Sequence, residues 1–447
     1  MPNLFARAAS ALLGDQPEPA GNPDVRLLLE ALGYAGTAAA DQSDAGTRHR
    51  ANLLQAAARF TRVFELAAPD APGLVCFGAE FDPGVADPMH AGSPAVGVSG
   101  VGLSLQEAFQ GCVGEGVEYL SQLQTASDRL ERFGHDDPTV GLGPQAREFV
   151  DAFSAHRPRS EPELSWCPAK RLVDGGEVWL PAEMGLRRPP GQREIKPPFP
   201  LSIGSAAGTS RDAAALHGLL ELIERDAASL WWQGGRRGRS IPDQDEAQVM
   251  ARALLSQLRQ DAPARRSWLL DITTDIGVPC VAAVSCMADG FGLAFGLAAR
   301  LTLAAAARSA ILEMCQIELA GRVVEAKCVE RGAAALNAQD MVHRRRATLI
   351  DADRCLLLQP LAEPSACPAI DATDANAALQ LLAGRLGQFG IEVFTRDLTR
   401  AQFSIPVVRV IAPGLQLEPS GIVTPRLADM IARTGGGAIY TGGVALI

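Results

Sequence analysis

What most limits the folds open to this chain is a stretch that recurs. Gly204 to Asp226 reads GSAAGTSRDAAALHGLLELIERD, a run of small residues followed by a spacing that predicts a helix carrying Glu221, Glu224 and Arg225. Ser99, Gly102, Ser104, Ala108, Glu115 and Glu118 stand in the same relative places as Ser205, Gly208, Ser210, Ala214, Glu221 and Glu224. Further on, LTLAAAARSAILEMCQIE sets Thr302, Ala306, Glu313 and Gln316 on the same template more weakly. Residues three apart share a helix face, so each acidic pair projects together and repels. Solvent, a cation such as Arg225, or a divalent metal can relieve that repulsion, and oxygen-only ligands favour Mg²⁺ or Ca²⁺ over zinc. A solvated face would accept any helix former. Repetition of the pair with its Gly/Ser entrance therefore favours a metal or phosphate site.

Composition narrows the class. With 447 residues, 47% hydrophobic and 21% charged, the chain can bury a large core in two or three lobes. Lys and Arg number 41 against 51 Asp and Glu, which argues against a nucleic-acid surface while leaving room for a local basic pocket. Nine cysteines lie scattered with no C-x-x-C pair, as expected of a reduced cytoplasmic protein without structural zinc. The most apolar run, Leu301 to Leu312, is broken by Arg308 and flanked by Arg300 and Glu313, so no membrane span is expected.

In order, residues 1–72 read as a helical region, with VRLLLEALGYAG and ANLLQAAARFTRVFELA as two helices on a larger body. Residues 73–447 read as an α/β (α+β mixed) body of strands interleaved with helices. LVCFGAEF is a strand, and His90 in the loop beyond it reads as a surface residue. ELSWCPAKRLVDGGEVWLPAEMGL is a hairpin around Asp174, and LRRPPGQREIKPPFP is a basic loop whose prolines forbid regular structure. SWLLDITTDIGVPCVAAVSCM gives two strands of a sheet buried on both faces, with the third repeat helix directly after. Arg344 to Arg346 read as an exposed charged face, and IPVVRVIAPGL as a last strand.

These residues resemble the YcaO family from about Gly97 to the C-terminus. GVGLSLQEAFQGCVGEGVE, GSAAGTSRDAAALHGLLELIERD, DITTDIGVP, the EMCQIE helix and VVRVIAPGL follow the family's order. The resemblance implies a YcaO-like fold around an ATP site lacking a P-loop, in keeping with the absence of G-x-x-x-x-G-K-[ST]. It implies Mg²⁺ ligands at Glu115, Glu118, Glu221 and Glu224, and ATP contacts at Ser210, Arg225, Glu313 and Gln316; it names no general base. Cys112 and Tyr119 replace the family's usual Ser and Arg, Gly100-Val101-Gly102 replaces Gly-Lys-Gly, and the chain ends YTGGVALI rather than in a Pro-x-Pro-x-Pro tail. Cys112 is expected to be a small packing residue rather than a nucleophile. The implied activity is ATP-dependent activation of backbone amides in a ribosomal precursor peptide, closing Cys, Ser or Thr to thiazoline or oxazoline. The implied partners are a leader-binding E1-like protein and an FMN-dependent dehydrogenase. Thioamide or amidine formation, or a non-catalytic nucleotide-binding scaffold, are the alternative readings.

Overall fold

The computed structural model describes residues 2–14, 22–34, 44–134, 141–156, 163–260, 262, 265–365 and 367–447. Three successive segments each end in an edge strand followed by a long helix. The first contains α1 (Pro2–Leu13), α2 (Pro23–Ala31), α3 (Asp44–Ala57), β1 (Arg62–Leu66), β2 (Val75–Phe81), β3 (Val96–Gly102) and α4 (Leu105–Gln122). The second contains β4 (Glu131–Gly134), α5 (Pro144–Ser154), β5 (Glu163–Arg171), β6 (Glu177–Pro181), α6 (Ala182–Gly185), β7 (Ser205–Ala207) and α7 (Arg211–Trp232). The third contains β8 (Arg239–Ser240), α8 (Glu246–Arg259), β9 (Arg266–Asp271), β10 (Cys280–Cys286), β11 (Ala294–Ala299) and α9 (Leu303–Arg331). The remainder is α10 (Ala338–Leu349), β12 (Leu361–Pro364), α11 (Ala375–Gly387), β13 (Phe394–Asp397), β14 (Val407–Ile411), α12 (Pro425–Thr434) and α13 (Ala438–Thr441).

The strands form three sheets, ordered β1-β2-β3, β11-β10-β9-β8-β12 and β4-β5-β13-β14-β7, with β6 pairing β5. Thus β3, β7 and β11, the strands that enter the three recurring helices, each lie at a sheet edge. Ser104, Ser210 and Thr302 cap those helices, their hydroxyls accepting from the amides of Glu107, Ala213 and Ala305 at 3.2, 3.1 and 3.1 Å. Directly inside each unit the helix lies flush on its strand. A Cβ on Gly100 would stand 2.1 Å from the amide of Cys112, one on Gly296 2.1 Å from the carbonyl of Ala310, and one on Gly218 2.8 Å from the carbonyl of Gly204. Only small residues fit at these crossings, which is why Cys112, Gly218 and Ala310 occupy equivalent places. Cys112 is fully buried and burial pushes its thiol up to about 12, so it packs as expected.

Several sequence expectations need correction. TRVFEL is not the end of a helix: Val63 and Phe64 belong to β1, which pairs antiparallel with β2 from the other side of residue 72. The third helix does not follow β10 directly, because β11 intervenes and supplies that unit's edge. His90 is buried, its Nε2 2.8 Å from the carbonyl of Gln124. Arg346 is buried rather than on an exposed face, with its guanidinium 4.4 Å over the ring of Phe295. The basic loop is pinned: Arg188 is buried against Glu183 at 2.9 Å and Glu194 at 3.2 Å. The hairpin β5–β6 and the antiparallel pair β9–β10 form where expected, and β10 is buried along its whole length.

Candidate active site

Because each helix touches its strand at a small residue, a glutamate one turn later reaches back to that strand's open edge. Glu115 accepts from the amide of Ser99 at 3.0 Å, Glu221 from Gly204 at 2.9 Å and Glu313 from Leu297 at 2.6 Å. The residue three positions further on reaches the next unit instead. Glu118 accepts from Ala207 on β7 at 2.7 Å, and Glu224 from Ala299 on β11 at 3.3 Å. Gln316 closes the circle by donating its side-chain amide to Ser99 Oγ on β3 at 2.8 Å. Three edge strands and three helices are thereby joined head to tail in a ring of five carboxylates and one amide.

Each carboxylate spends one oxygen on a main-chain N–H, four of them on edge strands and one, for Glu221, on Gly204 just before β7. Arg225 lies within the ring, 3.7 Å from Glu221 and 3.8 Å from Glu224, and its buried Nε has no hydrogen-bond partner among the described residues. Arg225 is the only cation within ion-pair distance of these acids among the described residues, with Arg300 and Arg409 acting from further off. Burial pushes Glu118 and Glu224 up to about 8, against the pull of Ala207's amide on one and of Arg225 on the other; Glu115 and Glu221 add repulsion at Glu118, as Glu313 does at Glu224. Glu115 rises to about 7 by burial among protein atoms and repulsion from Glu221, yet it keeps an exposed surface. Burial also raises Glu313. Burial opposes the charge of Arg225, but Glu224, Glu221, Glu313 and Glu418 outweigh it and hold the guanidinium charged.

Sequence reasoning missed some cations. Arg409 lies buried inside β14, held by the carbonyls of Met184 at 3.1 Å and Leu201 at 2.8 Å and drawn towards Glu221. A charge amid VVRVI was the available signal, since an apolar strand tolerates one only where acceptors await it. Arg187 stacks 4.4 Å over Tyr119, the residue after Glu118 of the ring. The ring gathers Glu115, Glu118, Glu221, Glu224, Arg225, Glu313 and Gln316, all singled out by the repeat. Ser210 is not among them: it caps α7 roughly 16 Å along the helix from Glu221 at 1.5 Å per residue.

The YcaO family model, described as a YcaO cyclodehydratase binding ATP and Mg²⁺, matches residues 99–416, a span that begins at Ser99 and holds the whole ring. The chain belongs to the YcaO family. An uncharacterised protein of Methanothermobacter thermautotrophicus is 26% identical to this YcaO chain over 376 residues, 80% of this chain and 90% of that protein. An uncharacterised protein in the tfuA 3′ region of Rhizobium leguminosarum bv. trifolii is 33% identical over 128 residues, 27% of this chain and 29% of that protein. Among solved structures, a heterocyclase in complex with substrate and cofactor superposes with a TM-score of 0.68 at 22% identity, covering 88% of this chain but only 55% of that one. YcaO from Methanopyrus kandleri bound with AMPPCP and Mg²⁺ superposes with a TM-score of 0.56 at 20% identity, covering 80% and 86%. These likenesses show the fold, and the chain spans about half the length of the heterocyclase.

The ring suits the cofactors of its family. Among the described residues no three acidic, histidine or cysteine side chains come together as a ready-made metal cage. Mg²⁺ bound through one or two carboxylates, with phosphate oxygens and water completing the shell, needs no such cage. The second oxygens of the carboxylates remain for that purpose, and bound cations would offset the burial and repulsion that raise Glu115, Glu118 and Glu224.

Proposed function

We propose that this chain is the ATP-dependent cyclodehydratase subunit of a peptide-modifying system, converting Cys, Ser or Thr of a ribosomally made precursor to thiazoline or oxazoline in the cytoplasm. The observation that carries the reading is the closed ring of five carboxylates and one amide that joins three sheet edges, within the span that matches the family. Glu115, Glu118, Glu221 and Glu224 would hold Mg²⁺, and Arg225, Glu313 and Gln316 would line the nucleotide. Bound Mg·ATP supplies the phosphoryl group that makes an amide oxygen a leaving group, with the metal charge to neutralise it. The chain's own part is placement. Main-chain N–H groups lock one oxygen of each carboxylate, fixing where the other points, and Arg225 sits where negative charge gathers, with an N–H to spare.

A leader-binding E1-like partner and an FMN-dependent dehydrogenase acting on the ring product complete the proposal. Reconstitution with precursor, partner and ATP tests it: mass spectrometry should show loss of one water per ring, matched by released ADP. Intact peptide with no ADP formed would overturn it. The relative encoded in a tfuA 3′ region favours a second reading, in which a TfuA-like partner and an external sulfide give a thioamide; the same spectrum would then show oxygen replaced by sulfur.

A further inference from the structure

Strand β7 ends its sheet, with β14 as its one neighbouring strand among the described residues. Along that pair the amide of Gly208 donates to the carbonyl of Pro406 at 3.0 Å, and the amide of Val410 to the carbonyl of Gly204 at 2.6 Å. Ala207, opposite Val407, falls between these bonded positions and therefore turns both its N–H and its C=O to the open edge. Two side chains take them. Glu118 accepts from the amide at 2.7 Å, and His217 on α7 has Nδ1 3.3 Å from the carbonyl. Surrounding protein atoms and the charge of Arg300 hold the imidazole below its ordinary pKa, so it is neutral near pH 7. A carbonyl can only accept, so His217 donates from Nδ1 and keeps its lone pair on Nε2. That nitrogen has no partner among the described residues, and the side chain is open to water.

His217 also stands one turn before Glu221 on the same face of α7, about 6 Å along the axis at 1.5 Å per residue. It thus adjoins Glu118 along the edge of β7 and Glu221 along the helix. The neighbouring edge is held in the same manner by different chemistry: at β11 the N–H of Ala299 goes to Glu224 at 3.3 Å, and its carbonyl accepts from Arg300 Nη1 at 2.8 Å. Of the side chains that hold these two edges, the carboxylates go to the metal on the reading above, and a guanidinium has no lone pair to offer. The imidazole alone is free to accept a proton.

We infer that His217 is the general base of ring closure. This rests on the cyclodehydratase reading and supplies the proton acceptor that reading leaves unnamed. As the Cys sulfur, or the Ser or Thr oxygen, of the precursor adds to the preceding carbonyl carbon, its proton passes to Nε2 and the carbonyl π electrons move onto oxygen. That oxygen takes the γ-phosphoryl group of ATP, and ADP leaves. The amide nitrogen then loses its proton to water and forms the C=N bond as phosphate departs, and Nε2 returns its proton to solvent.

Reconstitution of the full chain with partner, precursor and Mg·ATP tests the inference. His217→Asn keeps a side-chain N–H for the carbonyl of Ala207 but has no basic nitrogen. Its kcat should fall about a hundredfold, with the KM for ATP and for peptide within about twofold of wild type. A thiol ionises unaided at about pH 8.5 whereas a hydroxyl does not, so the loss should be about tenfold greater on a precursor carrying Ser in place of Cys. Imidazole in the buffer should restore part of the rate to His217→Ala. Normal turnover by His217→Asn reduces the residue to a strut for β7 and overturns the inference. So does a loss equal on the two precursors, or one confined to the KM for ATP, which would put the nucleotide against His217. A wild type that closes no ring on either precursor removes the cyclodehydratase itself, and the base with it.

Discussion

Two acids five residues apart on α9 live in opposite circumstances. Glu318 is buried and saturated: Arg259 donates to it at 2.6 and 2.9 Å, Arg265 lies 3.1 Å away, and Ser285 adds a hydroxyl at 2.5 Å. Asp70 beside it is paired with Arg322 at 2.8 Å, and although burial works against its charge, Arg322, Arg265 and Arg259 hold its carboxyl below the ordinary range. Glu313 faces the other way, has one strand amide for a hydrogen-bond partner and no direct ion pair among the described residues, with Arg225 and Arg300 acting on it from further off. Where acids serve the fold, the chain brings cations to them. In the ring it leaves them short, as a site that takes its positive charge from a bound cation would.

The contrast can be broken most forcefully in the ring. In the Glu221→Gln, Glu224→Gln double variant size and helix propensity are kept, so the fold should survive while turnover falls about a thousandfold, roughly 4 kcal/mol of barrier. Calorimetry should show the melting temperature of the wild type rising with Mg·ATP and that rise lost in the variant. An undiminished rise with normal phosphate release would remove these carboxylates from the metal site. The same exchange at Glu318 should behave oppositely. Glu318→Gln strands Arg259 and Arg265, costing about 3 kcal/mol in a denaturant melt. Nucleotide binding, measured where the variant is folded, should be unaffected.

Acidity sharpens the comparison further. A carboxylate raised in the folded state keeps its proton at a pH where the unfolded chain has released it. Stability then falls as pH climbs from the unfolded value towards the folded one, here up to about 8 for Glu118 and Glu224. Between pH 7 and 9, where His217 and His343, both lowered by burial, are already neutral, the ligand-free chain should lose several degrees of melting temperature, on the order of 1 to 2 kcal/mol. Saturating Mg·ATP should flatten that slope; a slope unaffected by ligand would mean the ring acids are not where the protons go. Smallest is the closure itself. Gln316→Leu removes the bond to Ser99 Oγ and should cost about 1 kcal/mol with a modest rise in the KM for ATP, a rise absent if the contact were only structural.

Most of the ring could be read before any coordinates, because its members recur at fixed offsets and repetition survives where propensity says little. The hairpin around Asp174 and the pair β9–β10 were legible from alternation and turn residues, although only β10 is buried throughout and β9 is open over its first half. What stayed hidden depends on partners distant in sequence. Nothing near Glu118 announces that it belongs to Ala207, 89 residues on, rather than to its own strand. His90 and Arg346 looked like surface residues because the carbonyl of Gln124 and the ring of Phe295 arrive from elsewhere. Ser210 was legible as part of the repeat, but a serine that opens a helix by capping it is spelled like one that opens a helix to a phosphate.

The meeting of β3, β7 and β11 bears on solubility as well. An open sheet edge is a template for a foreign strand, and proteins commonly hide such edges behind charge or cover. Here three edges converge on one ring of acids, and glutamates take the amides of Ser99, Ala207, Leu297 and Ala299 before another chain can. Side chains that are costly to the empty fold thus act as gatekeepers against self-association.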